Sequence, residues 1–125
     1  MPIISVNSTA SSAANPATAA VEIQAYDIDA NNYDQILVIA IIKIVSAAGS
    51  TGQAITINLT IGASTKGFAY TVKAEAHEHY ITAIHAAPAR DAASTITTQI
   101  AAAGSADGNT AVTCQEMIVL GENNY

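Results

Sequence analysis

The three histidines of this chain fall in one short segment, as His77, His79 and His85, with Glu78 between the first two. If this segment is a β-strand, alternate side chains point to one side, so the three imidazoles share a face. Imidazole nitrogens bind transition metals, and the pair His77 and His79 is the metal site that these residues offer. No third protein ligand follows at a suitable spacing. Hydrogen-bonded histidines at the polar start of a strand, or a pH-sensitive subunit contact, are the alternatives.

A second spot rich in oxygen ligands consists of Asp27, Asp29 and Asp34 around Asn31-Asn32. Carboxylates bind calcium, but the spacing lacks the glycine and the terminal glutamate of an EF-hand loop. Aspartate and asparagine also favour turns by themselves. The segment therefore predicts either a calcium-binding loop or an ordinary turn.

Residues for covalent catalysis are not arranged in a recognisable motif. Serine and threonine are abundant, but the strained Gly-x-Ser-x-Gly turn of serine hydrolases is missing. The segment 49–52, Gly-Ser-Thr-Gly, lacks the lysine of a phosphate-binding loop. The sequence therefore predicts a non-enzymatic protein without a cofactor.

The aromatic residues are five tyrosines and one phenylalanine. Sugar-binding sites commonly stack an aromatic face on the sugar ring, and Tyr26 and Tyr33 lie near the turn at 31–32. Packing in a core or an interface is the ordinary role of such side chains. A lectin-like site at these two tyrosines and a packing role therefore both stay open.

The composition describes a single domain with a weakly charged surface. The chain has 125 residues, of which 11% are charged, against about 25% in ordinary soluble domains. The net charge is −6 and the four basic residues are scattered, so no basic patch is available for nucleic acid or for an anionic membrane surface. The longest apolar stretch, 36–45, is interrupted by Lys43 and is well short of the about 20 residues of a membrane helix, so no membrane span is predicted.

Short segments rich in β-branched residues, separated by small and polar residues, predict at least seven strands. These lie at 19–29, 35–45, 54–61, 68–74, 77–87, 94–102 and 111–120. Strands of this length and spacing predict an all-β, single-domain antiparallel β-sandwich over 19–125, with an Ig-like sandwich as one alternative. The core is predicted to contain Ile23, Ile39, Ile41, Ile57, Leu59, Phe68, Val72, Ile84, Ile100, Val112, Cys114 and Ile118.

Two segments predict contacts with other copies of the chain. Residues 1–18 form an extended N-terminal segment, which is either a flexible leader or a donor in which Ile3, Ile4 and Val6 pair with a neighbour's sheet edge. The run 36–42, Ile-Leu-Val-Ile-Ala-Ile-Ile, has apolar residues on both faces of one strand, and a single sandwich core covers only one face. Its members Leu37, Ile39 and Ile41 are therefore predicted to contact another subunit, unless the chain's own N-terminal segment or a loop covers them.

Four C-terminal segments together resemble a known class of domain. They are Tyr80–Pro88, Ser94–Ile100, Gly104–Gly108 and Val112–Leu120. Their order of a proline-containing loop, a Thr-rich strand, a Gly-rich hairpin and a final apolar strand is similar to the C-terminal strands of jelly-roll domains in viral fibre heads, phage tail tips and virion decoration proteins. The Ala-Arg-Asp at 89–91 and the polar tail depart from that pattern.

The resemblance implies a jelly-roll-like sandwich that associates as a symmetric oligomer, often a trimer, in a virus particle, and it implies no catalytic residues. Around a threefold axis, three pairs of His77 and His79 would supply six imidazoles. The leading hypothesis is therefore a self-assembling structural subunit of a virion or a virus-derived appendage, located in the virion or outside the cell. A cellular filament joined by N-terminal strand donation, and a carbohydrate-binding adhesin module, are the alternatives. The predicted partners are copies of the chain, as a trimer or a filament, with other virion proteins and host-surface glycans as further candidates.

Overall fold

A computed structural model describes residues 3–7, 11–14, 21–29, 33–89, 95–104 and 108–122. These ranges contain nine strands and no helix, and so no helix long and apolar enough to cross a membrane. The strands are β1 (Ile3–Asn7), β2 (Ser11–Ala14), β3 (Val21–Asp29), β4 (Gln35–Ser46), β5 (Ala54–Ile61), β6 (Ser64–Thr71), β7 (His77–Pro88), β8 (Thr95–Ala103) and β9 (Thr110–Glu122).

The strands form two antiparallel sheets that pack face to face. The five-stranded sheet has the order β1-β9-β4-β7, with β2 also paired to β9, and the four-stranded sheet has the order β3-β8-β5-β6. The pairs are nested along the chain, since β5 pairs with β6, β4 with β7, β3 with β8, and both β1 and β2 with β9. A long antiparallel hairpin rolled up in this way is a jelly roll. The predicted all-β, jelly-roll-like sandwich is therefore confirmed.

The innermost hairpin turns at Gly62-Ala63. Ile61 pairs directly with Ser64, so the loop has two residues, and Gly62 has a φ of 59°, which suits glycine. The sequence predicted this strand, β6, at 68–74. That prediction was wrong because β6 begins as soon as a two-residue turn allows, and its polar first half continues the ladder with β5.

The core lies between the facing sheets and is built by period-two alternation. In β5 each inward residue is an aliphatic side chain, and from Thr56 onward each outward residue is polar, as in Ile57 and Asn58. The buried polar side chain of Thr98 donates a hydrogen bond of 2.7 Å to the Tyr26 carbonyl. Cys114 is 1% exposed, and burial raises the pKa of its thiol to about 11. The prediction that Cys114 is a small buried side chain is confirmed.

Four residues predicted in the core, Ile39, Ile41, Ile84 and Ile118, lie on the outside of the five-stranded sheet instead. In β4 every residue from 36 to 42 is apolar, so the pattern does not indicate which alternate set faces inward. In β9 a bulge makes Gln115 an extra residue, because Ile41 pairs with Glu116 and Ile42 with Cys114. The bulge reverses the alternation, so that Met117 and Val119 are buried.

The N-terminal strands lie along β9 of their own chain. β1 pairs with residues 117–120 of β9, and β2 pairs with residues 111–114. Residues 3–7 and 11–14 of the predicted N-terminal segment are thus extended strands in the five-stranded sheet. Donation of this segment to a neighbouring copy, and the boundary between it and the sandwich at residue 18, stay predictions.

Candidate functional site

The two outer faces of the sandwich differ sharply in polarity. The outer face of the four-stranded sheet carries Thr56, Asn58 and Thr60 on β5, and its side chains bond to one another. The Thr97 hydroxyl donates to Asp27 over 2.7 Å, and the Gln99 amide donates to Glu22 over 2.6 Å. The outer face of the four-stranded sheet is therefore polar, as is usual for a surface in contact with water.

The outer face of the five-stranded sheet is composed differently. An apolar patch runs across β7, β4 and β9, and consists of Leu37, Ile39, Ile41, Ile84, Ile118 and Leu120. The strand register aligns Ile84, Ile39 and Ile118 in one row across three strands. Ile84 is 45% exposed, and the others are half-buried. Contiguous apolar rows on a sheet surface mark a contact site far more often than scattered single residues do.

The N-terminal strand meets the same rows. Val6 pairs with Ile118, and Ile3 pairs with Leu120, so the backbone of β1 lies beside β9 at the level of two of these rows. Ile4 lies at a register shift between Ile3 and Ser5. The sheet thus brings together two sets of predicted interface residues, 3–6 and 37–41, that are distant in sequence.

One end of the outer face is polar. Lys43 Nζ lies 3.3 Å from Glu78 Oε1, and the Tyr80 hydroxyl donates to the same oxygen over 2.9 Å. The hydrogen bond from Tyr80 and then that from Lys43 hold the pKa of Glu78 below its usual value, and Glu78 raises the pKa of Lys43. Tyr80 is 55% exposed. This cluster borders the apolar patch with polar and charged side chains.

The predicted metal residues lie on the inner side of β7, next to β6. His79 stacks on Tyr70 with ring centroids 4.8 Å apart, and the His77 and His79 centroids are 6.2 Å apart. The three histidines share one face, as the alternation predicted. Among the described residues, no group of three or more His, Cys, Asp or Glu side chains is placed to hold a metal ion. The metal role of His77 and His79 stays a prediction.

His85 makes the contact that most resembles a catalytic pair. Its Nε2 lies 3.0 Å from the Ser64 hydroxyl, but it also lies 3.3 Å from the Ser64 carbonyl. Whether Nε2 donates or accepts in these contacts depends on the tautomer of His85. Ser64 also borders an open cavity of about 410 Å³ whose other lining residues are mostly apolar. The contact joins the start of β6 to β7.

The remaining candidates of the sequence are dispersed. Tyr26 is 39% exposed on β3, whereas Tyr33 packs against the core. Asp27 accepts the hydrogen bond from Thr97. Residues 30–32 and the side chain of Asp29 lie outside the described part of the chain, so the predicted turn and its calcium alternative stay predictions.

The apolar patch contains three residues that sequence reasoning did not assign to an interface: Ile84, Ile118 and Leu120. For Ile84 a signal was present, because Tyr80, Thr82 and Ile84 alternate with residues on the histidine face. For Ile118 and Leu120 the signal is a three-dimensional one, since their outward position follows from the bulge at Gln115.

No protein family matches the sequence, and no curated protein matches it either. Among solved structures, the EclA C-terminal domain, described as a sugar-binding protein, is similar over 96% of this chain and 83% of its own length, with a TM-score of 0.62 and 13% identity. A chain from the structure of infectious bursal disease virus, Gx strain, is similar over 96% of this chain and 33% of its own length, with a TM-score of 0.48 and 14% identity.

A family GH115 4-O-methyl-alpha-glucuronidase with specificity for decorated arabinogalactans is similar over 83% of this chain and 14% of its own length, with a TM-score of 0.42 and 13% identity. The likeness to the EclA domain shows a shared sandwich fold. The lower TM-scores of the other two carry no argument about this chain.

Proposed function

We propose that this chain is a non-enzymatic structural subunit that assembles with copies of itself through the outer face of its five-stranded sheet. The observation that carries the proposal is the apolar patch centred on the row Ile84, Ile39 and Ile118. The other sheet of the same protein has a polar outer face, so the apolar-rich composition of the chain does not by itself explain the apolar patch. The chain's own N-terminal strand pairs with the side of β9 and leaves the outer faces of β4 and β7 uncovered by any described strand.

The size of the outer face supports a second copy as the occupant. Strands rise about 3.3 Å per residue and lie about 4.8 Å apart, so the 12 residues of β4 and four strand positions give a face of about 40 Å by about 19 Å. Its area is roughly 750 Å², close to the roughly 800 Å² that each partner buries in a standard interface. A patch of six large aliphatic residues at its centre gives such an interface an apolar core.

The biological setting within this proposal is a virus particle or a virus-derived appendage. Support comes from the weakly charged composition and from the C-terminal strands, whose jelly-roll order the fold confirms. Strand donation from residues 2–6 into a cellular filament is the alternative setting. β1 pairs with β9 alone, so exchange of β1 between copies would keep the same ladder.

A carbohydrate-binding role is the second candidate function, and the exposed ring of Tyr26 favours it together with the fold shared with a sugar-binding protein. A glycan array tests this role. Hits that Tyr26→Ala weakens and Tyr33→Ala leaves unchanged would support it, because Tyr26 is exposed whereas Tyr33 packs against the core. An array without hits would remove it.

The assembly proposal is tested with Leu37→Asp and Ile39→Asp, which place a carboxylate in the apolar patch. The matched control is Thr56→Asp, a half-buried outward position on the other sheet. Negative-stain microscopy and analytical ultracentrifugation should show assemblies for the wild type and for Thr56→Asp, and smaller species for the two patch variants. Circular dichroism should show the same β-rich fold in all four proteins.

Two results would contradict the proposal, and a third would distinguish its two biological settings. A wild-type protein that is monomeric at high concentration contradicts it. Unfolding of both patch variants places β4 wholly inside the protomer. Deleting residues 1–12 separates the two settings: loss of the polymer with retained folding supports strand donation, and unchanged assembly rules donation out.

A further inference from the structure

The edges of the two sheets differ in how they are protected from pairing with another chain. An edge strand presents unpaired N–H and C=O groups, and natural proteins shield it with short strands, bulges, lysines or prolines. The N-terminal edge is divided between β1 and β2, of 5 and 4 residues, and β1 has a register shift. β3 has a register shift between Glu22 and Gln24. β6 exposes Lys66 and the strand-weakening Gly67.

The fourth edge, β7, has none of these features. All 12 of its residues pair with β4 without a register shift. Its proline, Pro88, is its last residue, and its one acidic residue, Glu78, is paired with Lys43. No strand of the described residues pairs with its other side. Within the described part of the chain, β7 is thus a long and regular edge that no other strand covers.

We propose that the free edge of β7 pairs antiparallel with the β7 edge of a second copy, so that two five-stranded sheets become one continuous sheet. Antiparallel pairing of a strand with its own copy is compatible with a twofold axis, which is the commonest symmetry of homo-oligomers. The inference deepens the proposed self-assembly function, but it rests on a strand edge and not on the outer face.

The number of hydrogen bonds is sufficient for a specific contact. In an antiparallel ladder every second residue pair exchanges two hydrogen bonds. Full overlap of 12 residues therefore gives about twelve bonds, comparable with the roughly ten of a typical protein interface. The pairing also joins the apolar patches of both copies into one surface, because Ile84 lies on β7 itself.

Two different twofold contacts on one subunit have a consequence for assembly. A subunit with a single twofold interface forms a dimer and stops. With contacts through both the outer face and the β7 edge, each dimer retains free surfaces, so the assembly grows into a filament or closes into a ring. This is the behaviour that a structural subunit requires.

The test uses the full chain with Ile39→Asp, which removes the face contact and leaves the β7 edge unchanged. Ultracentrifugation should show that the wild-type polymer becomes a dimer and not a monomer. Amide hydrogen exchange measured by NMR should then show every second amide of β7 slowed about tenfold or more in the dimer relative to a dilute sample. The amides of β6, an edge with Lys66, serve as the internal control and should not slow.

The outcomes separate the two contacts. If Ile39→Asp is monomeric at millimolar concentration and its β7 amides exchange equally fast in dilute and concentrated samples, the edge inference fails while the face assembly stands. If Ile39→Asp leaves the wild-type assembly intact and alternate β7 amides are protected, the edge stands and the face fails. Protection of β7 without alternation overturns the edge inference, because ladder pairing protects only the amides that point outward.

Discussion

Ile84 offers a quantitative test of the face contact, because it is the most exposed member of the apolar patch. The substitution Ile84→Thr keeps a β-branched side chain, so the preference for a strand is retained while the apolar surface is reduced. Ile84 is 45% exposed in the single chain. Association through the outer face would bury that remaining part.

The magnitude follows from the buried area. Fully burying an isoleucine side chain contributes about 2 kcal/mol, so burying a little under half of it contributes about 1 kcal/mol. A twofold interface contains Ile84 from both copies, so the variant weakens association by about 2 kcal/mol, or about thirtyfold in the dissociation constant. The free energy of unfolding should change little, since the side chain is a surface one within the protomer.

Sedimentation equilibrium measures the dissociation constant, and chemical denaturation of dilute protein measures folding stability. The matched control is Ile42→Val, which lies on the inner face of β4 and is 0% exposed. It should lower folding stability by about 1 kcal/mol and leave the dissociation constant unchanged. An Ile84→Thr protein that associates as tightly as the wild type would refute the assignment of the outer face as an interface.

Two further predictions concern the interior and the turns. Burial raises the pKa of Cys114 to about 11, so the thiol should react slowly with a maleimide or a disulfide reagent at pH 8 and quickly after denaturation. The pKa of this thiol is higher in the folded state than in the unfolded state, so its contribution to folding stability is fully present below about pH 9. Urea titrations should show that this contribution decreases as the pH rises from about 9 towards 11. Fast labelling of the native protein would contradict both statements. Gly104→Ala should destabilise the protein more than Gly62→Ala, because a methyl group at position 104 would lie 2.8 Å from a backbone carbonyl oxygen, whereas at position 62 the nearest atom is 3.6 Å away. Gly62→Ala should lower the free energy of unfolding by about 1 kcal/mol, because an alanine there must adopt the left-handed conformation. Equal melting temperatures for the two variants would contradict the predicted clash at position 104.

The sequence by itself determined most of the strands. Alternation in β5 and long β-branched runs fixed the positions of β4, β5 and β7 to within a residue or two, since period two leaves little freedom where polar and apolar residues alternate. The same patterns predicted the sandwich and the burial of Cys114. The surplus of apolar residues in β4 also predicted an outer face that a single core does not cover.

Tertiary structure decided which residues form that face. A run that is apolar on both sides is consistent with either alternation, so only packing against the other sheet selects Ile36, Val38 and Ala40 for the core and leaves Leu37 and Ile39 outside. The bulge at Gln115 reverses the alternation within β9, and nothing local in the sequence announces it. The alignment of Ile39, Ile84 and Ile118 in one row across three strands is likewise a property of strand order, because hydrogen-bonded pairing brings together residues that the chain itself keeps far apart.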